Sequence, residues 1–248
     1  MSLIITIATG DGIVLAVDSA LTQTKAGSIE LTLSQFPKVA PVSFLHSGIS
    51  FAGNLLIGPP DHQVYISKWL KEFINNSQAD SFTKFATDLV DALNSEERQM
   101  EQLRVFNMAG WVQVQDTNGT VKLVPRIFET SNLDKQYKWT SLIPDDFVND
   151  VIKWREGEKT KYPIRICTAG LPKGYASWIS LHGTKQHSEF IKSQVPFPDI
   201  TAVAEYARFL IKSIADLYQI ARQPKVVDEP IETLVLFPES KNMISMRY

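Results

Sequence analysis

The sequence predicts an α+β protein, and three observations carry that prediction. Two apolar runs rich in β-branched residues, Leu3 to Ile7 and Ile13 to Val17, flank Gly10-Asp11-Gly12 and read as a hairpin covered on both faces. Two amphipathic patterns with three- and four-residue spacing follow after Pro59. A period of two then returns from Val105, so strands and helices come in blocks rather than in strict alternation.

The elements follow in order. Ala20 to Gln35 is polar and reads as a loop or an exposed ribbon. Beyond Pro37, the residues Val39, Val42, Phe44 and Leu45 suggest a strand, and Ile49 to Ala52 a second that Gly53 breaks. Pro59-Pro60-Asp61 looks like a helix start, with Val64, Tyr65, Trp69, Leu70 and Phe73 on one face. Asp80 or Ser81 caps a second helix carrying Phe82, Phe85, Ala86, Leu89, Val90 and Leu93. Phe106, Met108 and Trp111 to Val114 form a strand that turns at Asp116 to Gly119 and pairs with Val121 to Phe128. Ser131 to Ser141 reads as irregular. A short helix starts at Asp145 or Asp146 and ends at Gly157, and Ile164, Ile166 and Ala169 suggest a further strand. Gly170 to Gly174 reads as a loop, and Ala176 to Leu181 as a strand or a buried helix. The longest helix follows Pro198-Asp199, with a stripe of Ala202, Ala204, Ala207, Phe209, Leu210, Ile214, Leu217 and Ile220 that serves as core or interface. Ile231 to Phe237 and Met243 to Met246 close the chain as strands.

A chain of 248 residues can bury a sizeable core, and we expect one domain spanning residues 1–248. The formal net charge of −2 shows no basic excess that would point to nucleic acid. Cys167 is the only cysteine, which rules out an intramolecular disulfide and a Cys-rich metal site. No apolar run approaches the ~20 residues of a membrane span and no signal peptide is evident, so a cytoplasmic setting is expected.

The chemistry centres on Ser2. Methionine aminopeptidases remove Met1 when the next side chain is small, which leaves a serine carrying a hydroxyl beside a free α-amine of pKa near ~8. That amine can act as general base for its own hydroxyl. Three features accompany it: Asp18 ends an otherwise apolar strand, Lys38 follows Pro37, and Ala52-Gly53-Asn54 ends a later strand. Together they offer a nucleophile, an acid, a tuning cation and a backbone donor. His46, near Ser47 and Ser50, is read as a hydrogen-bonded interior residue, because no Gly-x-Ser-x-Gly elbow accompanies it. His62, His182 and His187 show no metal-ligand spacing.

With Ser2, Gly10-Asp11-Gly12, Ala16-Val17-Asp18-Ser19, Lys38-Val39 and Ala52-Gly53-Asn54 in that order, the chain resembles proteasome β-type subunits of the N-terminal nucleophile hydrolase superfamily, including their bacterial relatives. The likeness runs from Ser2 to Asn54, with Ser in place of the family's usual Thr, and has a weaker echo in the closing helix and strands. It implies a four-layer αββα sandwich, with two antiparallel sheets between helix layers. It also implies that Ser2 Oγ is the nucleophile and its amine the base, that Asp18 pairs with Lys38, and that Lys38 depresses the pKa values beside it. The Gly53 N–H would be the oxyanion donor. Peptide or small amide substrates, an acyl-enzyme intermediate, no metal or organic cofactor, and homo-oligomeric rings or spirals follow from the same likeness, as does a cleft lined by residues 20–35.

The family's amine-orienting elements, Ser-Gly-Ser and Asp-x-x-Ser, correspond to regions where this chain has Asn107, Ala109 and Gly110, and Ser177, Ser180 and Ser188. A catalytically silent assembly subunit is therefore the alternative, and an unrelated small-molecule binder a third. A three-residue Gly10-Asp11-Gly12 loop would pair residues whose numbers sum to an even value, and would put Ser2 and Asp18 on one face with Lys38 alongside.

Overall fold

The computed structural model describes residues 2–19, 21–25, 28–33, 36–59, 61–96, 103–115, 119–134, 136–158, 161–170, 197, 199–220, 227, 230–238 and 243–247. The strands are β1 (Ile4–Thr9), β2 (Ile13–Asp18), β3 (Leu21–Lys25), β4 (Ser28–Leu33), β5 (Val39–Val42), β6 (Ser47–Gly53), β7 (Leu56–Ile57) and β8 (Val64–Tyr65). They continue with β9 (Arg104–Gln115), β10 (Val121–Ser131), β11 (Lys138–Ser141), β12 (Ile164–Ala169), β13 (Ile231–Leu236) and β14 (Met243–Arg247). The helices are α1 (Ile66–Asn76), α2 (Phe82–Glu96), α3 (Asp145–Arg155) and α4 (Ile200–Ile220). Two main antiparallel sheets result, in the orders β12-β1-β2-β13-β14 and β11-β10-β9-β6-β5. The α+β class expected from the sequence holds. The polar stretch after Ser19 is a two-stranded ribbon, β3 with β4.

The opening hairpin is buried along both strands, as its doubly apolar runs require. Its register corrects the expected three-residue loop. Ile4 stands opposite Val17 and Ala8 opposite Ile13, an odd sum, and the Thr9 N–H reaches the Gly12 carbonyl at 2.9 Å around a two-residue turn. Thr9 tightens that turn, because its Oγ1 accepts the N–H groups of Asp11 and Gly12 at 3.3 and 3.1 Å. Side-chain alternation then groups Asp18 with Leu3, and puts Ser2 on the opposite face.

Alternation also decides what each face meets. Leu3, Ile5, Ile7, Val14 and Ala16 pack with Val203, Ala204, Ala207, Ile211 and Ile214 of α4. On the other face, Ala8, Ile13 and Leu15 share a core with Ala109, Trp111, Val124 and Ile127 of the second sheet. Trp111 Nε1 also donates to the Leu236 carbonyl at 3.2 Å, which ties the two sheets by a polar contact. Phe51, Phe106 and Phe128 turn the opposite way, against Leu70, Phe82, Phe85 and Leu89 of α1 and α2. Each fully buried side chain of this size contributes about 1.5–3 kcal/mol.

Four local expectations are corrected. Pro59 and Asp61 belong to the connection between β7 and β8, where Gly58 has φ +106°; α1 begins only at Ile66, and Val64 and Tyr65 are exposed. Phe44 and Leu45 lie in a 3-10 turn (Ser43–Leu45) rather than a strand. The stretch read as irregular contains β11, paired with β10. Phe209 is 56% exposed, because the face of α4 that meets the sheet carries Val203, Ala207, Leu210 and Ile214 instead. Ala176 to Leu181 lies outside the described residues. Among the described residues, no helix is long and apolar enough to cross a membrane.

Candidate active site

The strand ends beside Ser2 bring three of the four expected residues together. The Lys38 ammonium donates to Ser2 Oγ at 2.6 Å and stands 3.6 Å from Asp18 Oδ2. All three are buried, at 3% exposure for Ser2, 1% for Lys38 and 0% for Asp18. The opposite-face register of Ser2 and Asp18 does not separate them, because both Ser2 and Leu3 lie before β1 begins and the long Lys38 side chain spans the gap. Asp18 is oriented by its other oxygen, which accepts the Leu3 N–H at 2.6 Å.

Burial disfavours both charges, and each partly restores the other. Desolvation pushes the Asp18 carboxyl up to about 6, against the opposing pull of the Lys38 charge and the Leu3 N–H. Desolvation likewise lowers the Lys38 pKa, opposed by the charges of Asp18 and Glu232. A lysine whose ammonium form is destabilised, in hydrogen-bond contact with a hydroxyl, can accept that hydroxyl's proton or lower its pKa by its charge.

Gly53 stands at the end of β6 and is linked to these three through its neighbours. The Phe51 N–H donates to the Lys38 carbonyl at 3.0 Å, so by alternation the Gly53 N–H also points to the Lys38 side of the strand. Its φ of +111° and the Leu103 carbonyl oxygen, 2.2 Å from where a Cβ would sit, leave no room for another residue. Arg104, directly opposite, fixes the chain beyond it. Its Nε donates to the Asn54 carbonyl at 3.1 Å and its Nη2 to the Leu56 carbonyl.

Three positions here escaped the sequence reading as site residues. Gly170, at φ +89°, comes so close that a Cβ on it would lie 2.4 Å from the Ser2 carbonyl oxygen and 2.8 Å from the Ala52 Cβ. Glu232 of β13 accepts the Lys38 N–H at 2.7 Å. Arg104 is the third. A glycine after a strand, as at Gly170, was the available signal; Glu232 and Arg104 gave none beyond a charge within an apolar run.

The remaining candidates lie elsewhere. Asn107 Nδ2 donates to Thr6 Oγ1 at 3.3 Å, about 13 Å along β1 from Ser2 at strand rise. His46 occupies a left-handed turn at the far end of the β5–β6 hairpin, with φ 52°. His62 pairs with Asp61 at 3.4 Å on the surface. Ser177, Ser180, His182, His187 and Ser188 lie outside the described residues. Among the described residues, no group of three His, Cys, Asp or Glu could hold a metal ion, and the buried Cys167 thiol is pushed up to about 11 by desolvation. Neither a protein-family model nor a curated protein matches the chain.

Proposed function

We propose that this chain is an N-terminal serine amidohydrolase or peptidase of the proteasome β-like kind. The observation that carries the reading is the buried Lys38 ammonium donating to Ser2 Oγ at 2.6 Å with Asp18 behind it. The four-layer αββα arrangement belongs to the same proposal, and is supported by α4 packing on one sheet and by α1 and α2 packing on the other. A peptide or small amide is the substrate, and the working form is a homo-oligomeric ring or spiral.

After Met1 removal, Ser2 Oγ attacks the substrate carbonyl and gives its proton to the α-amine. The Gly53 N–H stabilises the oxyanion of the tetrahedral intermediate. Collapse breaks the C–N bond, the amine leaves with the proton from the base, and Ser2 holds an ester. Water then attacks that ester and gives its proton to the same base, and collapse breaks the Oγ–C bond as Ser2 Oγ takes that proton back and the acid leaves. The direct Lys38 contact favours a second reading of one step, in which Lys38 is the base and the α-amine is dispensable.

Intact mass before and after exposure to two probes tests both. A β-lactone needs only Oγ, whereas an epoxyketone closes a ring with Oγ and a free α-amine together. Loss of the Met1 mass and an adduct at Ser2 with both probes, absent in Ser2→Ala, is the expected result. A β-lactone adduct alone moves the base to Lys38. No adduct with either probe leaves the silent assembly subunit.

A further inference from the structure

The Lys38 side chain is held at its tip by Ser2 and Asp18, and its root is held by a residue from the far end of the sequence. Glu232 lies on β13, opposite Val17 of β2, and is only 8% exposed. One carboxylate oxygen, Oε2, accepts the Lys38 N–H at 2.7 Å and the Val39 N–H at 3.2 Å. Two consecutive backbone donors converging on one anionic oxygen form a small nest, and charge-assisted bonds of this kind are stronger than neutral ones. The location matters because β5 is the edge strand of its sheet and starts at Val39, immediately after Lys38. An edge strand lacks a second neighbour to fix its position.

We propose that Glu232 is the positioning residue of this site: by clamping the Lys38–Val39 backbone to the first sheet, it fixes the point from which the Lys38 ammonium reaches Ser2 and Asp18. The inference rests on Ser2 being the nucleophile. Glu232 has a second effect through charge, since it favours the ammonium form of Lys38. The groups that act on the Lys38 side chain include the Ser2 hydroxyl, Asp18 from β2 and Glu232 from β13.

Acylation of Ser2 by a β-lactone, followed by mass across a pH series, separates the two effects in Glu232→Ala and Glu232→Gln. Glutamine keeps a side-chain oxygen at the same reach and loses the charge. Displacing a reacting group by about 1 Å can cost on the order of 100-fold. The expected result for Glu232→Ala is a maximal acylation rate about 10–100-fold lower, with the half-saturating β-lactone concentration unchanged within about twofold. Glu232→Gln restores the rate to within about threefold, and moves the rising limb of the pH profile lower, because the charge that favours the ammonium form is gone. Acylation of a folded Glu232→Ala at the wild-type rate overturns the proposal. If Glu232→Ala does not fold, Glu232→Asp decides: its carboxylate falls one methylene short of the Lys38 and Val39 N–H groups, and acylation at the wild-type rate overturns the proposal. A wild-type protein that forms no adduct at Ser2 removes the underlying reading instead, and is told apart by the silence of every variant.

Discussion

Lys38 donates to Ser2 at 2.6 Å, and both side chains are shut off from solvent. The same ammonium is the salt-bridge partner of Asp18, so removing it leaves a carboxylate buried without its cation. Breaking a buried pair on one side typically costs about 3–5 kcal/mol. Lys38→Met is therefore expected to lose about that much stability in urea melts, and to abolish β-lactone acylation of Ser2. The double variant with Asp18→Asn should recover a large part of the stability and none of the reactivity. A single variant as stable as the wild type would show that the pair is energetically idle.

Protonation of Asp18 gives the pH dependence a definite sign. Its carboxyl goes from the ordinary 3.8 to about 6 in the fold. Between those values the native protein holds a proton that the unfolded chain has released, so this group makes stability fall as pH rises through the window, by about 1.4 kcal/mol for each full pH unit of separation. Lys38 acts in the opposite sense. Its pKa is lowered from 10.5, so on the alkaline side the unfolded chain holds the extra proton and stability rises with pH. Urea midpoints compared at about pH 4 and pH 6 should fall in the wild type and stay flatter in Asp18→Asn.

Gly53→Ala meets a backbone obstacle. The new Cβ would sit 2.2 Å from the Leu103 carbonyl oxygen, and the residue would have to hold φ +111°. Strain of this kind costs on the order of 1–3 kcal/mol. The shifted donor should also slow Ser2 acylation by about 100-fold or more, as removal of an oxyanion donor does. Equal acylation rates at a lowered Tm would assign Gly53 to folding alone.

Gly170→Ala attacks the nucleophile from the other side. A Cβ there would meet the Ser2 carbonyl oxygen and the Ala52 side chain, both buried and neither at the end of a flexible chain. We expect about 1–3 kcal/mol of lost stability, and a β-lactone acylation rate reduced by more than the same loss of stability produces elsewhere. The control is Gly157→Ala, which also has a positive φ but nothing within 4 Å of the added carbon. Similar rates in the two variants would remove Gly170 from the site.

Arg104→Met should free the segment after Gly53 while keeping the aliphatic packing. It removes the donors to the Asn54 and Leu56 carbonyls. Hydrogen exchange of the amides from Asn54 to Ile57 should quicken, and the acylation rate should fall by about tenfold. Unchanged exchange in that segment would show that the β7–β8 pairing and its other backbone bonds hold it without Arg104.

Much of this was determined by the sequence alone, where the physics is local. Two doubly apolar runs around a glycine turn specify a buried hairpin, and Ser81, whose Oγ accepts the Lys84 N–H at 3.3 Å, was readable as a helix cap. Ser2, Asp18 and Lys38 stood out because polar and charged residues beside apolar strands need a reason, and the structure brings these three into contact. What only the tertiary structure decided depends on through-space approach. The hairpin register turned on the Thr9 hydroxyl folding two amides inward, which no alternation pattern reveals. Glu232 reaches Lys38 across 194 positions of sequence, and Gly170 has no room for a side chain because of the Ser2 carbonyl just ahead of β1. Strand pairing places such partners together after the chain has folded, so no local spacing encodes them.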